Sequence, residues 1–174
     1  WWKCTCRHFQ EDFRIVDIDN LPKKKIQRQY STIEKIHDAL ICGIKDYFGK
    51  IGFKSATLGL SGGIDSAVVA VLAARALGPE NVRVLLMPSK YSSDHSINDA
   101  VDLAKNLKIQ YETVNIQPMV DDFENAMSPI FKDLPIDVTE ENIQARTRGI
   151  LVMAISNKFG NILLNTTNKS ESAV

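Results

Sequence analysis

At 174 residues the chain has the length of one domain, with room for a short appended segment. Apolar residues at 44% and charged residues at 24% are ordinary for a globular fold, and 21 basic against 21 acidic residues leave no net charge. That balance argues against an overall pull toward nucleic acid or an anionic membrane, and no apolar run reaches the about 18 residues of a spanning helix.

Residues 1–30 are mixed in character. Trp1-Trp2-Lys3-Cys4 lacks the order of a signal peptide, so a cytoplasmic setting is expected. Cys4, Cys6 and Cys42 are an odd number, and no second Cys/His pair stands at zinc spacing, so reduced structural thiols are expected. Phe13 to Ile18 has the β-branched content of an edge strand. Lys23-Lys24-Lys25 with Arg28 is read as a solvated linker. Ser31 and Thr32 precede Ile33, Ile36, Leu40, Ile44 and Phe48, the spacing of a capped amphipathic helix closed by Gly49 and Gly52.

Ala56 to Leu60 is a short apolar strand. Asp65 to Leu77, rich in Ala and Val, is a helix ended by Gly78-Pro79. Val82 to Met87 is a second apolar strand, stopped by Pro88. Ser93 caps a helix carrying Ile97, Val101, Ala104 and Leu107. Tyr111 to Ile116 is a third strand, and Pro118 opens a helix with Met119, Phe123 and Met127. Thr139 is the expected cap of the longest helix, with Glu140 and Glu141 in its first turn and Gly160 at its end. Ile162 to Leu164 is a fourth strand.

Apolar strands alternating with helices predict an α/β fold, a doubly wound parallel sheet covered on both faces. Ligands in such sheets bind beyond the carboxyl ends of the strands. The polar segments lie there: Ser61 to Ser66, Pro88 to Asp94, and Asn165 to Glu171.

Ser61-Gly62-Gly63-Ile64-Asp65-Ser66 joins a strand to a helix start. Glycines let backbone N–H groups approach an oxyanion, and the helix N-terminus adds free N–H groups with a partial positive charge. Ser61 and Ser66 offer hydroxyls. Asp65 repels phosphate unless a Mg²⁺ ion lies between them. Neither a Walker A loop nor G-x-G-x-x-G is present.

This loop resembles the pyrophosphate loop of the N-type ATP pyrophosphatases, which cleave ATP between its α and β phosphates. Within them, Asp137 to Gly149 and Asn161 to Val174 resemble NAD synthetases, more the glutamine-dependent bacterial form than the ammonia-dependent one. Met87 to Asp94 is similar to that form too. The likeness runs from about Ile33 to Val174. It implies an adenine nucleotide alpha hydrolase-like, Rossmann-like three-layer domain over 31–174.

The resemblance implies the following roles. Ser61, Gly62, Gly63, Asp65 and Ser66 grip the pyrophosphate of ATP, Met87 lines the adenine pocket, and Thr167 contacts the nucleotide. Asp65 and Glu171 hold Mg²⁺. Asn142 and Arg146, four apart on one helix face, bind the second substrate with Lys169. Arg148 turns to another face and is expected at a surface or interface. Lys90, Tyr91 and His95 have no pattern that singles them out.

The implied reaction is the amidation of nicotinic acid adenine dinucleotide to NAD through an acyl adenylate. It consumes ATP and uses ammonia, free or from glutamine, in an enzyme expected to be a homodimer or higher oligomer. Residues 1–30 correspond to a linker or the tail of an N-terminal glutaminase domain. The family continues beyond Val174, so the 31–174 domain is expected to be truncated there, and turnover by these residues alone is not expected. A GMP synthetase-like or tRNA-modifying member of the superfamily, or a non-catalytic nucleotide-binding fragment, are the alternatives.

Overall fold

Helix α1 (Thr32–Ile51) starts where Ser31 and Glu34 trade hydrogen bonds. The Glu34 N–H donates to Ser31 Oγ at 3.2 Å, and the Ser31 N–H donates to Glu34 Oε2 at 2.8 Å. Gly52 ends the helix in the left-handed conformation; Gly49, expected to share that stop, lies inside it. Phe48 is buried, but Ile33, Ile36 and Leu40 of the expected apolar stripe remain exposed.

The computed structural model describes residues 8–13, 15, 17, 19, 30–132, 134–168 and 170. After α1 come β1 (Ala56–Gly59), α2 (Ile64–Leu77), a short 3₁₀ turn (Pro79–Asn81), β2 (Val82–Leu86) and α3 (Asp94–Leu107). They are followed by β3 (Gln110–Thr113), α4 (Gln117–Phe131), α5 (Val138–Phe159) and β4 (Ile162–Leu163). All strand pairs are parallel, in the order β3-β2-β1-β4. The chain therefore winds from β1 through β2 to β3, then crosses back to the other side of β1.

Side chains alternate across the strands. Leu58, Leu60, Val82, Val84 and Leu86 form one apolar face, against Ala70, Ala73 and Ala74 of α2 and Ala100 and Ala104 of α3. The alanines let both helices lie close to the sheet. On the other face α5 packs on β1, and α4 packs on α5. Val152 of α5 reaches Gly59, and the Arg83 guanidinium sits 4.3 Å from the centroid of the Phe159 ring. The expected doubly wound α/β sheet is present.

Three expectations are corrected. Helix α5 is capped by Asp137 rather than Thr139, because Asp137 forms a capping box with Glu140. The third strand begins at Gln110 and ends at Thr113, and all four residues are exposed, since it is the edge of the sheet. The expected strand at Phe13 to Ile18 is absent at its described positions, where Phe13 and Ile15 are almost fully exposed. Its other positions, and Cys4, Cys6, Lys23 to Lys25 and Arg28, lie outside the described residues. No helix among the described residues is long and apolar enough to cross a membrane.

Candidate nucleotide site

The turn from β1 into α2 sits at the carboxyl crest of the sheet, beside the point where the winding reverses between β1 and β4. Gly62 makes the turn possible. Its φ is 82°, and a Cβ there would collide with the Ser96 carbonyl in the first turn of α3. Gly63 is the N-cap of α2 and supplies no side chain, so the helix start keeps its N–H groups open toward the crest.

Two serines brace the turn. The Gly63 N–H donates to Ser61 Oγ at 3.2 Å, and the Ser61 N–H donates to Ser66 Oγ at 3.3 Å. The two hydroxyls lie 3.1 Å apart, and Ser66 donates to the Gly63 carbonyl at 3.1 Å. One arrangement satisfies all of these: Ser61 O–H to Ser66 Oγ, and Ser66 O–H to Gly63. Ser66 is buried and acts from inside the loop. Asp65 is exposed, and its carboxylate faces a small pocket lined by Ser61, Gly63, Asp65, Ser66 and Thr166.

Thr166, not Thr167, enters this pocket. The Thr167 hydroxyl and N–H both turn into Asn165 Oδ1, at 2.6 and 3.0 Å. Lys169 and Glu171 lie outside the described residues. Among the described residues no group of three His, Cys, Asp or Glu side chains could hold a metal without help. An exposed carboxylate beside a phosphate-sized turn does suit Mg²⁺, which takes one or two carboxylates and completes its shell with water and substrate phosphates.

Met87 follows β2, and its side chain folds back over β1. Its Cε would lie 3.1 Å from a Cβ at Gly59, a tight approach that the glycine leaves open. What Met87 presents to the crest is backbone. The segment after it is held by Gln117, whose Oε1 accepts the Lys90 N–H at 3.0 Å, and by the Ile116 N–H to the Pro88 carbonyl at 3.0 Å.

Helix α5 rises past the crest. Arg148 stands level with Met87, so the ten residues from Val138 to Thr147 project beyond the strand ends by about 15 Å at 1.5 Å each. Asn142 and Arg146 are on this projection, both exposed, and among the described residues no hydrogen bond or ion pair joins them to the Ser61 turn. Arg148, expected at a surface or interface, donates from Nε to the Met87 carbonyl at 3.2 Å, with Nη2 3.5 Å from Ser89 Oγ. Its guanidinium is partly buried, and desolvation lowers its pKa. Sequence periodicity gave the direction of Arg148 on its helix but not what stands beside it.

The model of the NAD synthase family matches residues 36–174. Glutamine-dependent NAD(+) synthetase of Synechocystis is 48% identical over 171 residues, covering 95% of this chain and 31% of that protein. The structure of glutamine-dependent NAD+ synthetase from Acinetobacter baumannii in complex with adenosine diphosphate matches with a TM-score of 0.83 and 40% identity, over 86% of this chain and 28% of that one. NH3-dependent NAD synthetase from Campylobacter jejuni matches with a TM-score of 0.73 and 34% identity, over 82% of this chain and 60% of that one. The chain thus spans 28% to 31% of these two glutamine-dependent relatives.

Proposed function

Because the chain belongs to the NAD synthase family, we propose that it carries the ATP-cleaving site of an enzyme that amidates nicotinic acid adenine dinucleotide to NAD. Residues 31–174 are assigned to the synthetase domain and residues 1–30 to a linker or the tail of a glutaminase domain ahead of it. The observation that carries the reading is the Ser61 to Ser66 turn: open N–H groups, a φ-positive glycine and one exposed carboxylate at the winding reversal.

The reaction runs in two steps. A carboxylate oxygen of the dinucleotide attacks the α-phosphorus of ATP, the bond to the β-phosphate oxygen breaks, and pyrophosphate leaves. Ammonia, free or released from glutamine, then adds to the acyl carbon of the adenylate. AMP departs and a proton is lost, leaving the amide.

The chain's own residues bind and orient. N–H groups at the α2 start face the place where the pyrophosphate would gain charge, while those of Ser61 and Gly63 are taken by the serine hydroxyls. Ser61 and Ser66 hold that backbone in shape, and Thr166 closes the far wall. Asp65, with Glu171 as the proposed second ligand, would hold Mg²⁺, which supplies neutralisation of the developing phosphate charge. The projecting half of α5 offers Asn142 and Arg146, with Lys169, to the dinucleotide, and Met87 with Thr167 is assigned to the nucleotide. No side-chain nucleophile is needed, because positioning two substrates in line does most of the work. A homodimer in the cytoplasm is the proposed state; α4 and α5 leave Phe123, Ile150 and Met153 about half exposed, as a surface for a second copy.

The test is AMP and pyrophosphate release by the full-length protein. Release is expected only when ATP, Mg²⁺ and nicotinic acid adenine dinucleotide are all present; stimulation by xanthosine monophosphate or tRNA would reject the assignment. Asp65→Asn is expected to lower kcat by at least about a hundredfold with the unfolding midpoint unchanged, since the carboxylate is exposed. Full activity in that variant removes the metal role.

A further inference from the structure

We propose that Arg148 is a positioning residue for ATP, a bracket from α5 that fixes the Met87 backbone as the adenine-facing wall and keeps it in register with the helix that meets the second substrate. This rests on the function proposed above.

Arg148 and Met87 are 61 residues apart in sequence and joined by one hydrogen bond of 3.2 Å. Among the described residues no carboxylate pairs with Arg148. A partly buried guanidinium without a counter-charge is costly, so a purely structural strut here would be better made from an apolar side chain. What the guanidinium supplies that an apolar group cannot is a planar fork of donors. That fork reaches the carbonyl of Met87 and comes within 3.5 Å of the hydroxyl of Ser89, two residues on.

The target of the fork matters. Met87 has its side chain turned away over Gly59, so its peptide is what faces the crest. A carbonyl oxygen has two lone pairs, and Arg148 takes one. The other is left oriented for a donor such as the exocyclic amine of adenine. The same helix carries Arg146 about half a turn earlier and Asn142 about one and two-thirds turns earlier. Arg148 therefore links the two substrate positions through a single side chain.

The experiment is steady-state kinetics on the full-length protein, varying ATP and the dinucleotide in turn. For Arg148→Met, KM for ATP is expected to rise about tenfold, with kcat and KM for the dinucleotide each within about threefold. Ser89→Ala is expected to give a smaller rise in the same constant, and the double variant to be no worse than Arg148→Met alone. If Arg148→Met does not fold, Arg148→Lys is read in its place, since an ammonium cannot form the fork and the same selective rise is expected. An unchanged KM for ATP in a folded variant overturns the assignment, as does a loss confined to kcat. The unmodified protein is measured alongside. If it makes no AMP, the proposed function fails and takes this assignment with it; if it is active and the variants match it, only Arg148 is misassigned.

Discussion

Gly62 and Thr57 bear opposite costs. Gly62 is held at a positive φ with no space for a Cβ beside Ser96, so Gly62→Ala is expected to destabilise by at least about 2 kcal/mol in denaturant unfolding and to weaken ATP binding. Thr57 on β1 is fully buried, on the sheet face opposite Leu58, and its hydroxyl has no hydrogen-bond partner among the described residues. Thr57→Val removes that unpaired group at nearly constant shape and is expected to stabilise by about 1 kcal/mol, read as a higher denaturant midpoint at unchanged slope. The Ser61 to Ser66 turn was legible because its pattern is local: glycines, serines and one carboxylate within six residues. Arg148 and Thr166 were not, because each gains its place from contacts far away in sequence.

The elements were legible as far as periodicity reaches, and less so at their ends. Asp137 displaced Thr139 as the cap of α5, although the Asp137-x-x-Glu140 pattern was present to be read. The Thr139 side chain, then its backbone N–H, donate to the Asp137 carboxylate and hold its pKa below the ordinary 3.8. The unfolded chain keeps that ordinary value. The stabilisation is therefore fully present above pH 3.8 and is lost as pH falls through the lower folded value. Asp137→Asn keeps a cap without the charge. The gap in unfolding midpoint between the two proteins is expected to be widest at neutral pH and to close below pH 3.8; a gap that persists in acid would contradict this account. In α1 the apolar period was right, but exposure of Ile33, Ile36 and Leu40 shows that a stripe tells which face is apolar, not whether anything covers it.

At the scale of the molecule, the parallel sheet followed from strands alternating with helices, but the strand order did not. Nothing in Ile162 to Leu164 says that it lies beside β1 rather than beyond β3; the register Ala56 to Ile162 decides it. This placement makes β4 the costliest strand to bring home. Ser55 and Asn161, hydrogen-bonded at its start, are 106 residues apart, whereas β1, β2 and β3 each pair with a neighbour one helix away. Leu164 donates its N–H to the Thr57 carbonyl at 2.8 Å and packs on the core. Leu164→Ala is expected to speed unfolding by about tenfold while leaving the refolding rate within about twofold, as for contacts made after the transition state.

Thr166, two residues beyond Leu164, is the far wall of the pocket at the Ser61 turn. The pocket is thus finished by the strand that pairs across the greatest sequence distance, so a nucleotide bound there is expected to act as a clasp on that seam. By mass action, melting of the protein should then depend on how much ATP is in solution, and that edge of the sheet should gain the most protection from amide exchange.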